Sequence, residues 1–254
     1  MNHAIEDAAG LVAIVTGGAS GIGAGICEVL AKAGMTVIIA DNNFDKAEAQ
    51  AAAIRTSGGN AAAISVDLAD EASVIRSCAA MIEQHGVPWA LINNAGLQNR
   101  QILLEGTVDF WDRMMVVNSR GPFLLSREVA RAMVTAGRGG RIVNIASTAL
   151  IGQMVKGHAA YASSKAALDG LTRASALELA PHGITVNMVM PGGVMTPGSM
   201  GAEGPAPEGP AKRYPPLGMC EPRDIGAAVL FFASPAARYV TNQRLAVDAG
   251  WSTT

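Results

Sequence analysis

The sequence predicts an α/β fold: one doubly wound, Rossmann-type parallel sheet of about seven strands with helices on both faces. Short apolar runs of strand length alternate with longer segments whose apolar residues recur at helical spacing. The strand-like runs lack polar alternation, as expected where a parallel sheet is covered on both sides and its crossovers are helices. A glycine-rich stretch, TGGASGIG at 16–23, joins the first strand to the first helix.

Residues 11–15 form the first apolar run, and Ile22, Ile26, Val29 and Leu30 then fall at i, i+4, i+7 and i+8. Gly34 supplies a left-handed stop, 37–40 reads as the second strand, and 45–55 as a helix stopped by Gly58 and Gly59. The pattern repeats with a strand at 61–66, a helix through Val74, Cys78, Met81 and Ile82 stopped by Gly86, and a strand at 90–92. Further strands are expected at 142–145, 184–189 and 245–247, and the longest helices at about 107–136 and 158–180, the latter ending near Pro181. Between Pro197 and Pro216 prolines alternate with glycines, so no regular element is expected there. A loop of this length in a compact domain reads as a lid over a substrate, at about residues 195–220. No linker divides the chain, so 1–254 is read as one domain.

Nineteen basic and twenty-one acidic residues leave a formal charge of −2, without the positive field that attracts nucleic acid or anionic lipid. Cys27, Cys78 and Cys220 are odd in number and widely separated, fitting a reduced compartment rather than a disulfide framework. The N-terminal MNHAIEDAAG is acidic where a secretory signal needs basic residues, and no apolar run is long enough to span a bilayer. A soluble, cytoplasmic protein is expected, without nucleic-acid or membrane partners and without a metal site.

Glycines at the strand-to-helix junction let backbone N–H groups approach a pyrophosphate at the positive end of a helix. Gly17, Ser20, Gly21, Ile22 and Gly23 are therefore candidate cofactor contacts, although the spacing departs from G-x-G-x-x-G and glycines also simply make turns. Asp41 follows the second strand, where a carboxylate can accept from ribose hydroxyls and repel a 2′-phosphate, favouring NAD; a helix cap is the alternative. Asp67 could cap a helix or hydrogen-bond adenine. Tyr161 and Lys165 stand four apart on one helix face, as a surface pair would too. Bringing a phenol from near 10 to near 7 needs roughly 4 kcal/mol, about what one cation some 4 Å away supplies at an effective dielectric near 20. Ser147, at the end of the strand 142–145, faces the ligand crevice of such sheets and can polarise a carbonyl or cap something local. Asn94, Ala95, Gly96 and Asn118 follow apolar runs and read equally as turns or caps.

Taken together, TGGASGIG, the NNAG ending at Gly96, Asn118, Ser147, Tyr161-x-x-x-Lys165 and Pro191-Gly192 resemble the short-chain dehydrogenase/reductase family over about residues 10–252. The length matches its short branch rather than the extended one. The resemblance implies Tyr161 as general acid/base, Ser147 as the group that orients the carbonyl, and Lys165 as the residue that lowers the Tyr161 pKa and holds the nicotinamide ribose. It implies a proton-relay role for Asn118, NAD selection by Asp41, adenine contacts from Asp67 and Leu68, and carboxamide contacts from Val194 and Thr196. It also implies a homotetramer paired through the fourth and fifth long helices and the C-terminal strands. Three features depart from the family pattern: a Ser147-to-Tyr161 spacing of 14 where 13 is commoner, Ala249 where a glycine is frequent, and Asn242 where a glycine is common.

The expected activity is hydride transfer between NAD and a secondary alcohol or ketone. Substrate contacts are expected from Ser147, Gln153, Met154, Tyr161, Gly193 and Met200, with Leu150, Ile151, Met195, Gln98 and His158 nearby. Adaptable methionines suit a medium-sized substrate with an apolar or cyclic body. A 3-oxoacyl thioester reductase is the alternative enzyme, disfavoured by Asp41 and the modest charge. A catalytically silent dinucleotide sensor or scaffold is the alternative of another class.

Overall fold

The computed structural model describes residues 8–253 and contains a seven-stranded parallel sheet in the order β3-β2-β1-β4-β5-β6-β7. The strands are β1 (Val12–Thr16), β2 (Thr36–Asp41), β3 (Asn60–Ser65), β4 (Ala90–Asn93), β5 (Gly140–Ile145), β6 (Ile184–Pro191) and β7 (Arg244–Val247). Alternate residues face opposite layers. Ala13 and Val15 pack toward helices α1 (Gly21–Lys32) and α8 (Pro222–Ala233), while Ile14 packs toward α3 (Glu71–His85) and α5 (Gly121–Ala136). Helix α2 (Phe44–Thr56) joins the first layer through Ala47, Ala51 and Ile54. Strand order reverses between β1 and β4, which opens a crevice at their carboxyl ends.

Gly34, Gly58 and Gly86 take positive φ (+84°, +86° and +79°) after their helices, as the stops in the sequence require. Ala249 and Asn242, where the family pattern has glycine, are the two described non-glycine residues with positive φ, at +54° and +55°.

The structure corrects the expected single helix over 107–136. Helix α4 (Val108–Met115) passes into a π turn, Val116–Arg120, before α5 begins. The apolar period continues through this turn, so periodicity could not reveal it. It buries Asn118, whose Oδ1 accepts from Leu97 N at 2.8 Å and whose Nδ2 donates to Leu97 O at 2.9 Å. Helix α6 (Ala159–Leu179) carries Tyr161 and ends before Pro181 as expected.

Helix α8 and the short helical turns within the proline-rich stretch were not anticipated. Helix α8 starts from reciprocal capping between Glu221 and Asp224, with Pro222 in its first turn. It lies against α1 so closely that a Cβ on Gly25 would fall 2.5 Å from the Pro222 side chain. Within the proline-rich stretch, Thr196 and Ser199 cap the four-residue helix α7 (Pro197–Met200), and Pro210–Lys212 forms a 3-10 turn.

Candidate active site

A cleft of about 470 Å³ runs along the carboxyl ends of β1, β2, β4 and β5. At one end Gly17, Ser20, Gly21, Ile22 and Gly23 line it. Two side chains fasten this loop to β4. The Thr16 hydroxyl accepts from Asn94 N and Ala95 N, each at 3.0 Å, and Asn94 Nδ2 donates to Thr16 O at 2.9 Å and Gly17 O at 3.2 Å. A Cβ on Gly23 would sit 2.1 Å from Gly17 O, and one on Gly17 2.9 Å from Ala95 Cα, so only glycine permits this fold of the loop. Sequence reasoning missed Thr16 as a fastener, although it opens the glycine motif.

Asp41 lines the next part of the cleft. Its Oδ2 accepts from Ala19 N at 3.2 Å and its Oδ1 from Asn43 N at 3.0 Å, so it braces the glycine loop while Asn43 caps α2. Asp67 and Leu68 line the same end, and Asp67 Oδ1 accepts from Ala69 N at 2.9 Å. Val66, Val117 and Arg113 complete this wall and carried no sequence signal of their own.

Ala95 and Thr196 border the cleft beside Gly17 and Gly21, and Gly96, Tyr161 and Lys165 border it farther from the glycine loop. Lys165 is buried, and its Nζ donates to Ile145 O at 2.9 Å. Burial pushes its ammonium down to about 8. Burial also pushes the Tyr161 phenol above its ordinary range, and a hydrogen bond with Ser147 offsets part of that rise. Lys165 Nζ, held on the Ile145 carbonyl, is 5.9 Å from the Tyr161 ring centre. Ser147 precedes a 3-10 turn and its Oγ also accepts from Ala149 N at 3.1 Å, so the local cap is present. Asn118 Nδ2 is 3.0 Å from Ser164 Oγ, and Ser164 Oγ donates to Tyr161 O at 2.7 Å, which ties the π turn to the start of α6.

Gln98 also lines the cleft, whereas Ser147, Asn118 and the remaining sequence candidates lie outside its lining. Pro191 and Gly192 end β6, where Gly192 N donates to Val247 O at 3.0 Å, and Val194 is buried beside Cys220. Gly193 leaves no room for a Cβ against Met219. Gln153 is buried, with Nε2 donating to Trp251 O at 2.9 Å and Oε1 lacking a partner among the described residues. Met154 and Met200 are exposed. His158 begins α6 with its ring 5.0 Å from that of Tyr161, and burial, with the Arg100 charge second, pushes it down to about 4.

The cleft fits a nicotinamide dinucleotide on its own chemistry: a glycine cradle closed to any Cβ at a helix N-terminus, an acid after β2, and a Tyr–Lys–Ser cluster at the far end. Comparison with known proteins agrees. Residues 17–252 match the family described as Enoyl-(Acyl carrier protein) reductase. The chain is 36% identical over 245 residues to 2,5-dichloro-2,5-cyclohexadiene-1,4-diol dehydrogenase of Sphingobium indicum, covering 96% of this chain and 97% of that one. A short-chain type dehydrogenase/reductase from Mycobacterium marinum superposes with a TM-score of 0.88 at 31% identity, covering 98% of each chain. A structure from Beutenbergia cavernae with bound NADP superposes at 0.87 and 35% identity, covering 97% of this chain and 98% of that one. The chain belongs to the short-chain dehydrogenase/reductase family. Its class is that of oxidoreductases using a nicotinamide dinucleotide.

Proposed function

We propose that the chain is an NAD-linked dehydrogenase/ketoreductase that interconverts a compact secondary alcohol and its ketone, with a cyclic or second-hydroxyl-bearing substrate favoured. The observation that carries this reading is the convergence of Tyr161, Ser147 and buried Lys165 at one end of a cleft whose other end is a glycine cradle. The cyclic diol in the name of the Sphingobium indicum relative supports the substrate class. Asp41 supports NAD over NADP, since a carboxylate lining the cleft just after β2 would accept from ribose hydroxyls and repel a 2′-phosphate.

In the oxidation direction Tyr161 takes the proton of the substrate hydroxyl, while the Ser147 hydroxyl holds the same oxygen in place. Burial raises the phenol's pKa, so positive charge beside it, from Lys165 and a nicotinamide ring, would favour the phenolate. A nicotinamide dinucleotide held in the cleft would supply the hydride acceptor for this oxidation. Lys165, held on Ile145 O, would hold the nicotinamide ribose, and Asn118 fixes Leu97 in the loop after β4. Gly21, Thr196, Asp67 and Leu68 would contact the dinucleotide; Gln153, Met154, Gly193 and Met200 would shape the substrate side.

Replacing Tyr161 by Phe should lower the rate of NAD reduction by about 10³-fold or more while NAD affinity stays within about twofold. Normal turnover by that variant, followed as absorbance of reduced cofactor, would defeat the reading. A 3-oxoacyl thioester reductase is the second reading, favoured by the description of the matched family. Initial rates with NAD against NADP separate the two. We further propose that the chain acts as one domain in a cytoplasmic homotetramer. Exposed Leu103, Leu104, Val108 and Trp111 at the start of the fourth long helix support pairing, and three free, separated cysteines support the compartment.

A further inference from the structure

Three loops that are distant in sequence meet beyond Tyr161: residues 97–102 after β4, 152–158 before α6 and 197–213 after β6. Arg100 stands at their crossing. Its backbone N–H donates to Glu203 O at 2.8 Å, its Nε to Pro205 O at 2.9 Å, and its terminal guanidinium nitrogen to Ala202 O at 3.1 Å. Three donors of one residue thus hold a four-residue stretch of the proline-rich loop. The middle loop is sewn in beside it, with Gln101 N donating to Gly157 O at 3.1 Å and Lys156 N to Glu208 O at 2.7 Å.

The approach of the three loops is closer than ordinary residues allow. A Cβ on Gly204 (φ +117°) would lie 2.1 Å from Arg100 O. One on Gly157 (φ +84°) would lie 2.9 Å from Arg100 Cβ and 3.1 Å from Pro205 Cγ. Both neighbouring loops therefore wrap Arg100 through left-handed glycines. The charge of Arg100 also reaches His158, which begins the catalytic helix and stacks near Tyr161.

We infer that Arg100 is a positioning residue that fixes the substrate-side wall by clamping the proline-rich loop onto the two loops flanking Tyr161. A charged donor bound to peptide carbonyls is stronger than a neutral one, and the planar fork reaches two carbonyls at once, which a lysine ammonium cannot match in geometry. The inference rests on the reading that the alcohol binds on the Tyr161 side of the cleft. Arg100 touches neither cofactor nor reacting atoms; it acts through the loop backbone.

The test uses the full chain with Arg100→Met and Arg100→Lys, trans-1,4-cyclohexanediol with NAD as the probe reaction, and limited trypsin digestion. Exposed Lys212 and Arg213 lie in the clamped loop. Arg100→Met should speed cutting there by about tenfold or more without lowering the thermal midpoint by more than a few degrees. It should raise KM for the diol by about tenfold with kcat within about threefold and NAD affinity within about twofold, and Arg100→Lys should recover part of both effects. Wild-type cutting and wild-type KM in Arg100→Met overturn the clamp. Equal losses of NAD affinity and thermal midpoint also overturn it, by making Arg100 a general structural residue. Digestion needs no substrate, so faster cutting in Arg100→Met combined with no wild-type turnover of the diol sustains the clamp and sinks the substrate reading instead.

Discussion

The two ends of the cleft are built by different means. At the phosphate end a tight local approach of Gly23 to Gly17 sets the backbone of the loop, and the side chains of Thr16 and Asn94 pin it to the end of the adjacent strand. At the substrate end the wall is assembled from side-chain donors that reach across about a hundred positions, such as Arg100 to Pro205. The first end is fixed before any ligand arrives. The second depends on a few bonds at the surface, where opening is cheap. One end can therefore stay constant while the other is altered for new substrates.

The strongest way to break this contrast is Gly23→Ala. A Cβ 2.1 Å from Gly17 O forces the whole glycine loop to move, so NAD affinity should fall by about 100-fold or more in calorimetric titration while the sheet stays folded. Retention of wild-type affinity would show that the cradle is adaptable after all.

Lys165 lies at the junction of the two ends. Its ammonium falls from an ordinary 10.5 to about 8 because it is buried, a cost of about 3 kcal/mol to the charged folded state. Between pH 8 and 10.5 the unfolded chain holds more protons at this site than the folded one, so stability at Lys165 rises with pH across that window. The difference between wild-type and Lys165→Met denaturation free energies should therefore change by about 3 kcal/mol in the wild type's favour over that range. A flat difference would mean that the ammonium is solvated.

Asp41→Ser sharpens the comparison at the nucleotide end alone. The ratio of kcat/KM with NADP to that with NAD should rise by about tenfold, with no change in KM for the alcohol. An unchanged ratio would leave Asp41 as a brace for Ala19 and nothing more. The smallest effect belongs to the rim of the substrate end. The Lys156–Glu208 pair, 2.6 Å apart, joins two half-exposed side chains, so Glu208→Gln should shift KM less than about twofold. A change as large as that expected for Arg100→Met would place the clamp in the ion pair instead.

The same contrast explains what could be read in the chain beforehand. Strand positions came within one or two residues because buried parallel strands are continuous apolar runs, as in Val12–Thr16. The glycine loop, Tyr161, Lys165 and Ser147 were legible because each must occupy a set place relative to a strand or helix end. Helix α8 had a local signal in Glu221, Pro222 and Asp224 that went unused. Arg100 had none, since its partners at Ala202, Glu203 and Pro205 are peptide carbonyls that any residue could supply. The upward push on the Tyr161 phenol was likewise hidden, because it follows from burial in the folded chain.

The π turn at Val116–Arg120 adds one residue to a helical revolution. Each residue of an α-helix turns the chain by about 100°. Deleting a single position from that turn would straighten the rod into ordinary winding, yet swing the amide of Asn118 out of register with Leu97 or slide all of α5 by one step against the sheet. The irregularity thus works as a phase adjuster: it lets one half of a continuous rod keep its grip on the core while the other half aims a side chain at the cleft. Length changes in this stretch should be far less tolerated than changes of residue type.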